Sequence, residues 1–286
     1  MGLRKNILIT GGAGFIGSNL AERLLKDGHN VLSIDDYSFG TKDNELDGVK
    51  YINDDIENIL SIQAKIDICF HLAAKARVQP SFEDPVDYFR VNAKGTMKVM
   101  EWAKENKVKV VYAGSSSKHF SPEDSPYAMY KFLGEQICKL YKKSFGVKVE
   151  IARFYNVYGP RENRDEKYGN VIGIWTTKAM KGDPLPIVGD GMQRRDFTHV
   201  NDIVDGLIKI GFSDISQEDG WELGTGNNYS VNELFNMFKL RFGSKSVFIP
   251  DQPGNYKKTL RKNDNLLELL NWEPKDQLAN HIKNLS

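Results

Sequence analysis

Cysteine is nearly absent from this sequence: Cys69 and Cys138 are the only two in 286 residues. Cys69 lies in an apolar run and Cys138 on a helical pattern, so both read as buried packing residues, not as a disulfide or a metal pair. A surplus of one charge is missing as well, since 39 Lys+Arg against 38 Asp+Glu leave a net charge of +1. Such a chain has no general attraction for nucleic acid or an acidic membrane, and any anion it binds must be held by a local site. No apolar run is long enough to cross a bilayer. The start, MGLRKNILIT, runs straight into a short strand pattern without the apolar core and cleavage site of a signal peptide. Repeats, low-complexity tracts and flexible linkers are absent too. What remains is globular composition, 40% hydrophobic and 27% charged, in a chain long enough for one large domain or two lobes sharing an interface. These features point to a cytoplasmic enzyme.

The first half alternates β-branched runs with helical patterns, which predicts βαβ units and a parallel sheet covered on both faces. Asn6–Thr10 reads as a first strand and Phe15–Asp27 as a helix ending at Gly28. Further strands are expected at Asn30–Ile34, Val49–Ile52, Ile66–His71, Val108–Ala113 and Val149–Phe154. Asp84-Pro85 and Ser125-Pro126 each place an N-cap before a proline at the first helical position. Long helices should therefore run from 85 to about 106 and from 125 to about 145. Beyond Tyr158, glycine- and proline-marked loops and short strands suggest a smaller lobe packed directly on the first. The expected division is 1–157 and 158–286, interleaved, with about 192–225 returning to the first unit.

Thr10-Gly-Gly-Ala-Gly-Phe-Ile-Gly17 follows the first strand and opens the first helix. Gly11, Gly14 and Gly17 permit a tight turn, close backbone approach to a pyrophosphate, and close helix–sheet packing, while the helix start with Phe15 and Ile16 offers free amides to phosphate. Asp35 closes the second strand where a carboxylate holds an adenosine ribose. With Asp36 it would repel a ribose phosphate, which favours NAD over NADP. A second constellation is Tyr127-Ala-Met-Tyr-Lys131, two residues sharing a helix face. The Lys ammonium there can lower the Tyr pKa and hold a ribose hydroxyl, making the phenol a general base for an alcohol proton. Upstream, the run Ser115-Ser116-Ser117 puts hydroxyls after a strand, within reach of a reacting oxygen.

These motifs, together with Asp54-Asp-Ile56, His71-Leu-Ala-Ala74, Asn92, Arg153-Phe-Tyr-Asn-Val-Tyr-Gly-Pro160, Gly189-Asp-Gly-Met-Gln-Arg-Arg-Asp-Phe197 and Leu223-Gly-Thr-Gly226, resemble an extended short-chain dehydrogenase/reductase of the NAD-dependent sugar epimerase/dehydratase family. The resemblance covers essentially the whole chain. It implies an α/β fold, a Rossmann-like doubly wound parallel sheet with a smaller C-terminal substrate-binding lobe. It further implies Asp55 and Ile56 at the adenine, and Leu72, Ala73 and Ala74 past the pyrophosphate and nicotinamide, with Asn92 along the cofactor. Asn156 and Arg195 would hold the diphosphate of a nucleotide sugar, with a surface ion pair between Arg195 and Asp196 as the plainer reading. Gln252 stands where relatives often carry an Arg on that diphosphate. Thr259 falls at a gate position beside the sugar, small enough for an N-acetyl group.

The implied chemistry is removal of hydride from C4 while Tyr127 takes the hydroxyl proton, assisted by Ser117 or Ser116. Dehydratases of the family look to need an Asp-Glu pair beside the serine, and decarboxylases a Glu. Ser115-Ser-Ser-Lys-His119 has no carboxylate there, which leaves 4-epimerisation, UDP-sugars being the expected substrates. A 4,6-dehydratase, a 4-keto reductase and a non-catalytic nucleotide-sugar-binding protein are the alternatives. Between Ser117 and Tyr127 the chain is shorter than in most relatives and lacks their Val-Tyr-Gly, which predicts an open pocket. His119 in that segment reads either as a replacement acid/base or as a solvated surface residue. Met97, Met100, Trp102, Phe132, Leu133 and Leu140 lie on the two long helices, whose faces form a homodimer interface in many relatives. No metal ligand set is expected.

Overall fold

The computed structural model describes residues 3–262 and 266–285. Strands β1 (Asn6–Thr10), β2 (Asn30–Asp35), β3 (Val49–Asn53), β4 (Ile68–His71), β5 (Lys109–Ser115) and β6 (Val149–Phe154) alternate with helices. Helix α1 (Phe15–Lys26) follows β1, while α2 (Val78–Glu83), α3 (Pro85–Phe89) and α4 (Thr96–Asn106) lie between β4 and β5, and α5 (Pro126–Phe145) between β5 and β6. The chain continues through β7 (Val157–Tyr158), α6 (Val171–Lys181), β8 (Leu185–Val188), β9 (Arg194–Asp196), β10 (Thr198–His199) and α7 (Val200–Phe212). It ends with β11 (Trp221–Leu223), β12 (Asn228–Ser230), α8 (Val231–Phe242), β13 (Ser246–Ile249), α9 (Leu266–Leu270) and α10 (Leu278–Lys283).

Seven strands form one parallel sheet in the order β11-β6-β5-β4-β1-β2-β3. The order reverses between β1 and β4, and ligands of such sheets bind in the crevice beyond the strand ends at that reversal. Both faces are covered, so the strands are apolar throughout and successive residues feed opposite cores. Ile7, Ile9, Phe70 and Val111 pack with α1, α7 and Trp272, whereas Leu8, Cys69, Val110 and Tyr112 pack with α4 and α5. Each aliphatic side chain buried there contributes roughly 1.5–3 kcal/mol. Cys69 and Cys138 are free thiols of the second core, and burial pushes both pKa values up. Helix α7 and strand β11 come from the second half of the chain yet complete the large sheet and its cover. The remaining elements build a third core around Tyr158, Trp175, Ile187, Phe197 and Phe238.

Helix α5 starts where Ser125 accepts from the Ala128 amide and ends at Gly146 in the left-handed conformation. The helix expected from Asp84 is less regular. It is α-helical over Pro85–Phe89, makes a π-helical turn at Arg90–Gly95, and resumes as α4. Met100 and Trp102, read above as dimer-face residues, are 0% and 1% exposed in the core, while Met97 and Leu140 stay exposed. Among the described residues no helix is long and apolar enough to cross a membrane.

Candidate active site

A cleft of about 1160 Å³ opens along the C-terminal ends of β1, β2, β4 and β5 and is closed on its far side by residues 154–178 and 249–259. Its floor is the glycine loop. Gly11 has φ +77°, and a Cβ there would stand 2.9 Å from the Ala73 nitrogen; at Gly17 it would stand 2.1 Å from the Gly11 carbonyl. Only glycine gives that approach. No side chain caps α1 at Gly14, so the first-turn amides of Phe15, Ile16 and Gly17 are left for an anion. At the end of β2, Asp35 accepts from the amides of Ala13 and Tyr37, both at 2.9 Å, which locks the loop to the strand. Burial raises its pKa against those two bonds. Asp36, Ile56, Leu72, Ala73 and Ala74 also line the cleft. A backbone cradle for phosphates, with carboxylates at the ribose end, fits a dinucleotide without a 2′-phosphate.

Two residues expected along the cofactor sit elsewhere. The Asp55 carboxylate caps the turn at Glu57 and pairs with Arg90 at 2.5 Å, and it is Asp54 that faces the cleft. Asn92 is 1% exposed and lies behind the wall, bonding both the amide and the carbonyl of Lys75 at 2.8 Å. It props the Leu72–Ala76 segment and does not line the cleft, which Val91 does. His71 is held between Thr10 and Thr96 at 2.8 and 3.1 Å, and burial drops its pKa to about 3, so it stays neutral.

At the middle of the cleft Tyr127 donates to Ser115 Oγ at 3.3 Å. This corrects the expected serine. Ser116 and Ser117 line the cleft as well, but β5 runs on to residue 115 and ends there, so Ser115 points its hydroxyl at the phenol and also caps the Ser117 amide. Lys131 is 5% exposed and donates to the Ala113 carbonyl at 2.9 Å, with burial lowering its pKa to about 8. Burial raises the Tyr127 pKa, and the Ser115 bond and the Arg77 guanidinium pull it back. Arg77 was not singled out above. It lines the cleft beside α2, whose Ser81 accepts from the Tyr127 amide, and its Nε donates to the Tyr168 carbonyl at 2.7 Å. A single arginine after an alanine run carries no periodic signal. Glu162 escaped notice for the same reason: it is 7% exposed, lines the cleft, and burial raises its pKa to about 7, with Oε2 unpartnered among the described residues.

The other half of the cleft gathers Asn156, Arg195, Gln252 and Thr259. The Asn156 amide donates to the Asp196 carbonyl at 2.9 Å and to Thr259 Oγ1 at 3.1 Å. Asp196 is fully buried and its carboxylate accepts from Thr225, Gly226 and Arg261, so no surface ion pair with Arg195 exists. Arg195 instead bonds the Arg194 carbonyl and Asn255 Oδ1. With no carboxylate partner among the described residues, burial lowers its pKa to about 10 and leaves a guanidinium able to receive an anion.

The shortened Ser117–Tyr127 segment does not leave a gap. It folds into two 3₁₀ turns, Ser116–His119 and Pro122–Asp124, capped by Ser115 and Ser121. Phe120 stacks on Tyr256 with centroids 3.8 Å apart, and His119 Nε2 lies 3.1 Å from Glu222 Oε2. His119 is an exposed residue, as the second of the two readings has it, and it ties the segment to β11 without lining the cleft.

The comparisons with known proteins agree with this arrangement. The model of the NAD dependent epimerase/dehydratase family matches residues 7–214. The chain belongs to that family. A Methanocaldococcus jannaschii protein described as a putative UDP-glucose 4-epimerase is 32% identical, with 97% of this chain and 96% of that protein aligned. UDP-glucuronic acid decarboxylase 1 of Danio rerio is 31% identical over 95% of this chain and 69% of its own length. Among solved structures, UDP-glucose 4-epimerase of Thermotoga maritima superposes with a TM-score of 0.90 at 29% identity, covering 98% of this chain and 97% of the other. The family's cofactor is NAD, and the glycine cradle, the unpaired helix start and Asp35 are the residues that fit it.

Proposed function

We propose that this family member is a nucleotide-sugar 4-epimerase acting on UDP-sugars. The reading rests on one observation: Tyr127 and Ser115 meet in a cleft between a dinucleotide cradle and an arginine with no carboxylate partner among the described residues, and the positions after the serines hold Lys118 and His119, not acids. Bound NAD supplies the hydride acceptor for C4. Tyr127 takes the C4 hydroxyl proton as the ketone forms, and Ser115 shares a hydrogen bond with the same oxygen. Lys131, close behind on the same helix face, is placed for the ribose of the cofactor. Arg195 and Asn156 hold the diphosphate, so the keto sugar can turn over about that anchor and offer the other face of C4 to the returning hydride, while Tyr127 gives the proton back to O4. Gly11, Gly14, Phe15, Ile16, Gly17, Asp35, Asp36, Asp54 and Ile56 hold the cofactor in this reading, while Thr259 leaves room at C2. The exposed Val86, Phe89, Met97 and Leu140 of the helical face fit a homodimer, which light scattering measures.

Glu162 supports a second reading. A carboxyl with a pKa near 7 is matched to protonating a leaving hydroxyl, as a 4,6-dehydratase requires. The test is incubation with UDP-, dTDP- and GDP-sugars followed by anion-exchange separation and mass spectrometry. A product of equal mass and shifted retention, lost in Tyr127→Phe by at least about 10²-fold, is expected. Loss of water would replace epimerisation by dehydration; no change across the panel would refute both.

A further inference from the structure

The Phe120–Tyr256 stack joins two parts of the site that come from distant positions in the chain. Phe120 belongs to the short segment between the catalytic Ser115 and Tyr127. Tyr256 belongs to the 252–259 loop, which also carries Asn255, the partner of Arg195. The rings lie 10° from parallel, so the contact is a full face and not a grazing edge. The loop is pressed down at other points as well. Gly254 has φ +69°, and a Cβ there would stand 2.8 Å from Val78 and 3.4 Å from Ser125. The Gln79 amide donates to the Pro253 carbonyl at 2.8 Å. Tyr256 lines the cleft, and its hydroxyl is out of contact with water with no hydrogen-bond partner among the described residues. It lies within electrostatic reach of both Tyr127 and Arg195, and of Asp124.

We propose that Tyr256 is a specificity-determining residue whose hydroxyl donates to the C2–C3 edge of the sugar, with Phe120 holding its ring in place. The inference rests on the nucleotide-sugar reading of the cleft. If Tyr127 meets C4 and Arg195 the diphosphate on C1, a hydroxyl in the same cleft within electrostatic reach of both is near the carbons that separate those two. A buried hydroxyl left unpaired is unfavourable, and a sugar hydroxyl is the acceptor its surroundings lack. The stack also accounts for what the shortened segment does: its Phe120 backs Tyr256, and it is Tyr256 that lines the cleft.

Calorimetric titration of UDP and of UDP-glucose into the purified protein separates the possibilities, since only the second carries the sugar. Tyr256→Phe keeps the stack and removes the hydroxyl. It should weaken UDP-glucose about tenfold, the size of one neutral hydrogen bond, and leave UDP unchanged. Phe120→Ala should weaken UDP-glucose by a similar factor with UDP again unchanged, and its melting temperature checks that the fold persists. UDP-2-deoxyglucose and UDP-3-deoxyglucose then identify the contact, because the Tyr256→Phe penalty should vanish for one of them. Equal weakening of UDP and UDP-glucose, or no weakening of either, would overturn the inference and leave the proposed function standing. Failure of the wild-type protein to bind UDP or UDP-glucose would overturn the proposed function and this inference together.

Discussion

Replacing Arg153 by Met should destabilise the protein far more than one surface charge would. Arg153 is 1% exposed, on β6, the strand next to the edge strand β11. Its guanidinium bonds both oxygens of Glu135 on α5 at 2.9 and 2.8 Å and Glu222 on β11 at 2.7 Å. Glu222 in turn accepts from Tyr155 at 2.6 Å and faces His119. Burial alone would raise the Glu222 pKa, but the bonds from His119, Tyr155 and Arg153 outweigh it and hold the carboxyl below its ordinary value. Arg153→Met removes the cation and leaves two buried carboxylates without their charge partner. Breaking one side of a buried pair costs about 3–5 kcal/mol. For a chain of 286 residues, whose unfolding entropy is about 0.6 kcal/mol/K, that corresponds to a drop in Tm of about 5–8 °C. Adding Glu135→Met removes one orphaned carboxylate and should recover part of the loss. The network lies directly under the catalytic strand end, because a Cβ at Gly114 would sit 2.9 Å from Glu135 Oε1. Differential scanning calorimetry at neutral pH reads the effect. A shift below about 2 °C for Arg153→Met would refute the claim that this network ties β5, β6, β11 and α5 together.

Two further predictions concern protons. Arg77→Met removes the cation that pulls the Tyr127 pKa down, so the acid limb of the kcat/KM profile should move to higher pH while Tm stays put; an unmoved limb would refute the role given to Arg77. His281 packs against His199 and Tyr158, with burial lowering its pKa to about 4 and that of His199 downward as well; Arg164 also disfavours its charge, while Asp202 faces His199. A depressed histidine pKa means the unfolded chain takes up the proton first. The stability is therefore complete above the ordinary histidine range near 6.5 and declines as pH falls from there toward about 4. Tm should drop over that window by about 2 °C per kcal/mol lost, and His281→Phe should flatten the decline.

The framework of the site could be read from the sequence because its signals are local. Glycines at 11, 14 and 17 must follow a strand and open a helix, and Ser125-Pro126 fixes where Tyr127 begins its turn. What escaped depends on contacts between distant positions. Whether Asp54 or Asp55 faces the cleft is decided by Arg90, 35 residues beyond Asp55. Which of three serines meets Tyr127 is decided by the residue at which β5 ends, and strand ends shift by a residue or two without any change in composition. Helix α2 was missed because Val78–Glu83 is short and contains Pro80. The π-helical turn at Arg90–Gly95 left the apolar pattern of the long helix intact, so periodicity alone could not reveal it.

The same contrast bears on how the chemistry is assigned. The absence of an acid after Ser117 is a local fact and argues for epimerisation. Glu162, brought into the cleft from 45 residues further along, argues for an acid catalyst that the serine motif does not encode. The two readings differ in what Glu162 does, and its surroundings pull both ways. Burial raises its pKa to about 7 and so favours the proton that a general acid needs, while the Asn170 bond, Arg164 and Arg77 favour its charged form. Glu162→Gln therefore separates them: an epimerase should keep activity within about an order of magnitude, while a dehydratase that uses this carboxyl should lose about 10²-fold or more. Retained equal-mass product in Glu162→Gln alongside its loss in Tyr127→Phe would leave the Tyr127–Ser115 pair as the whole acid–base apparatus of the reaction.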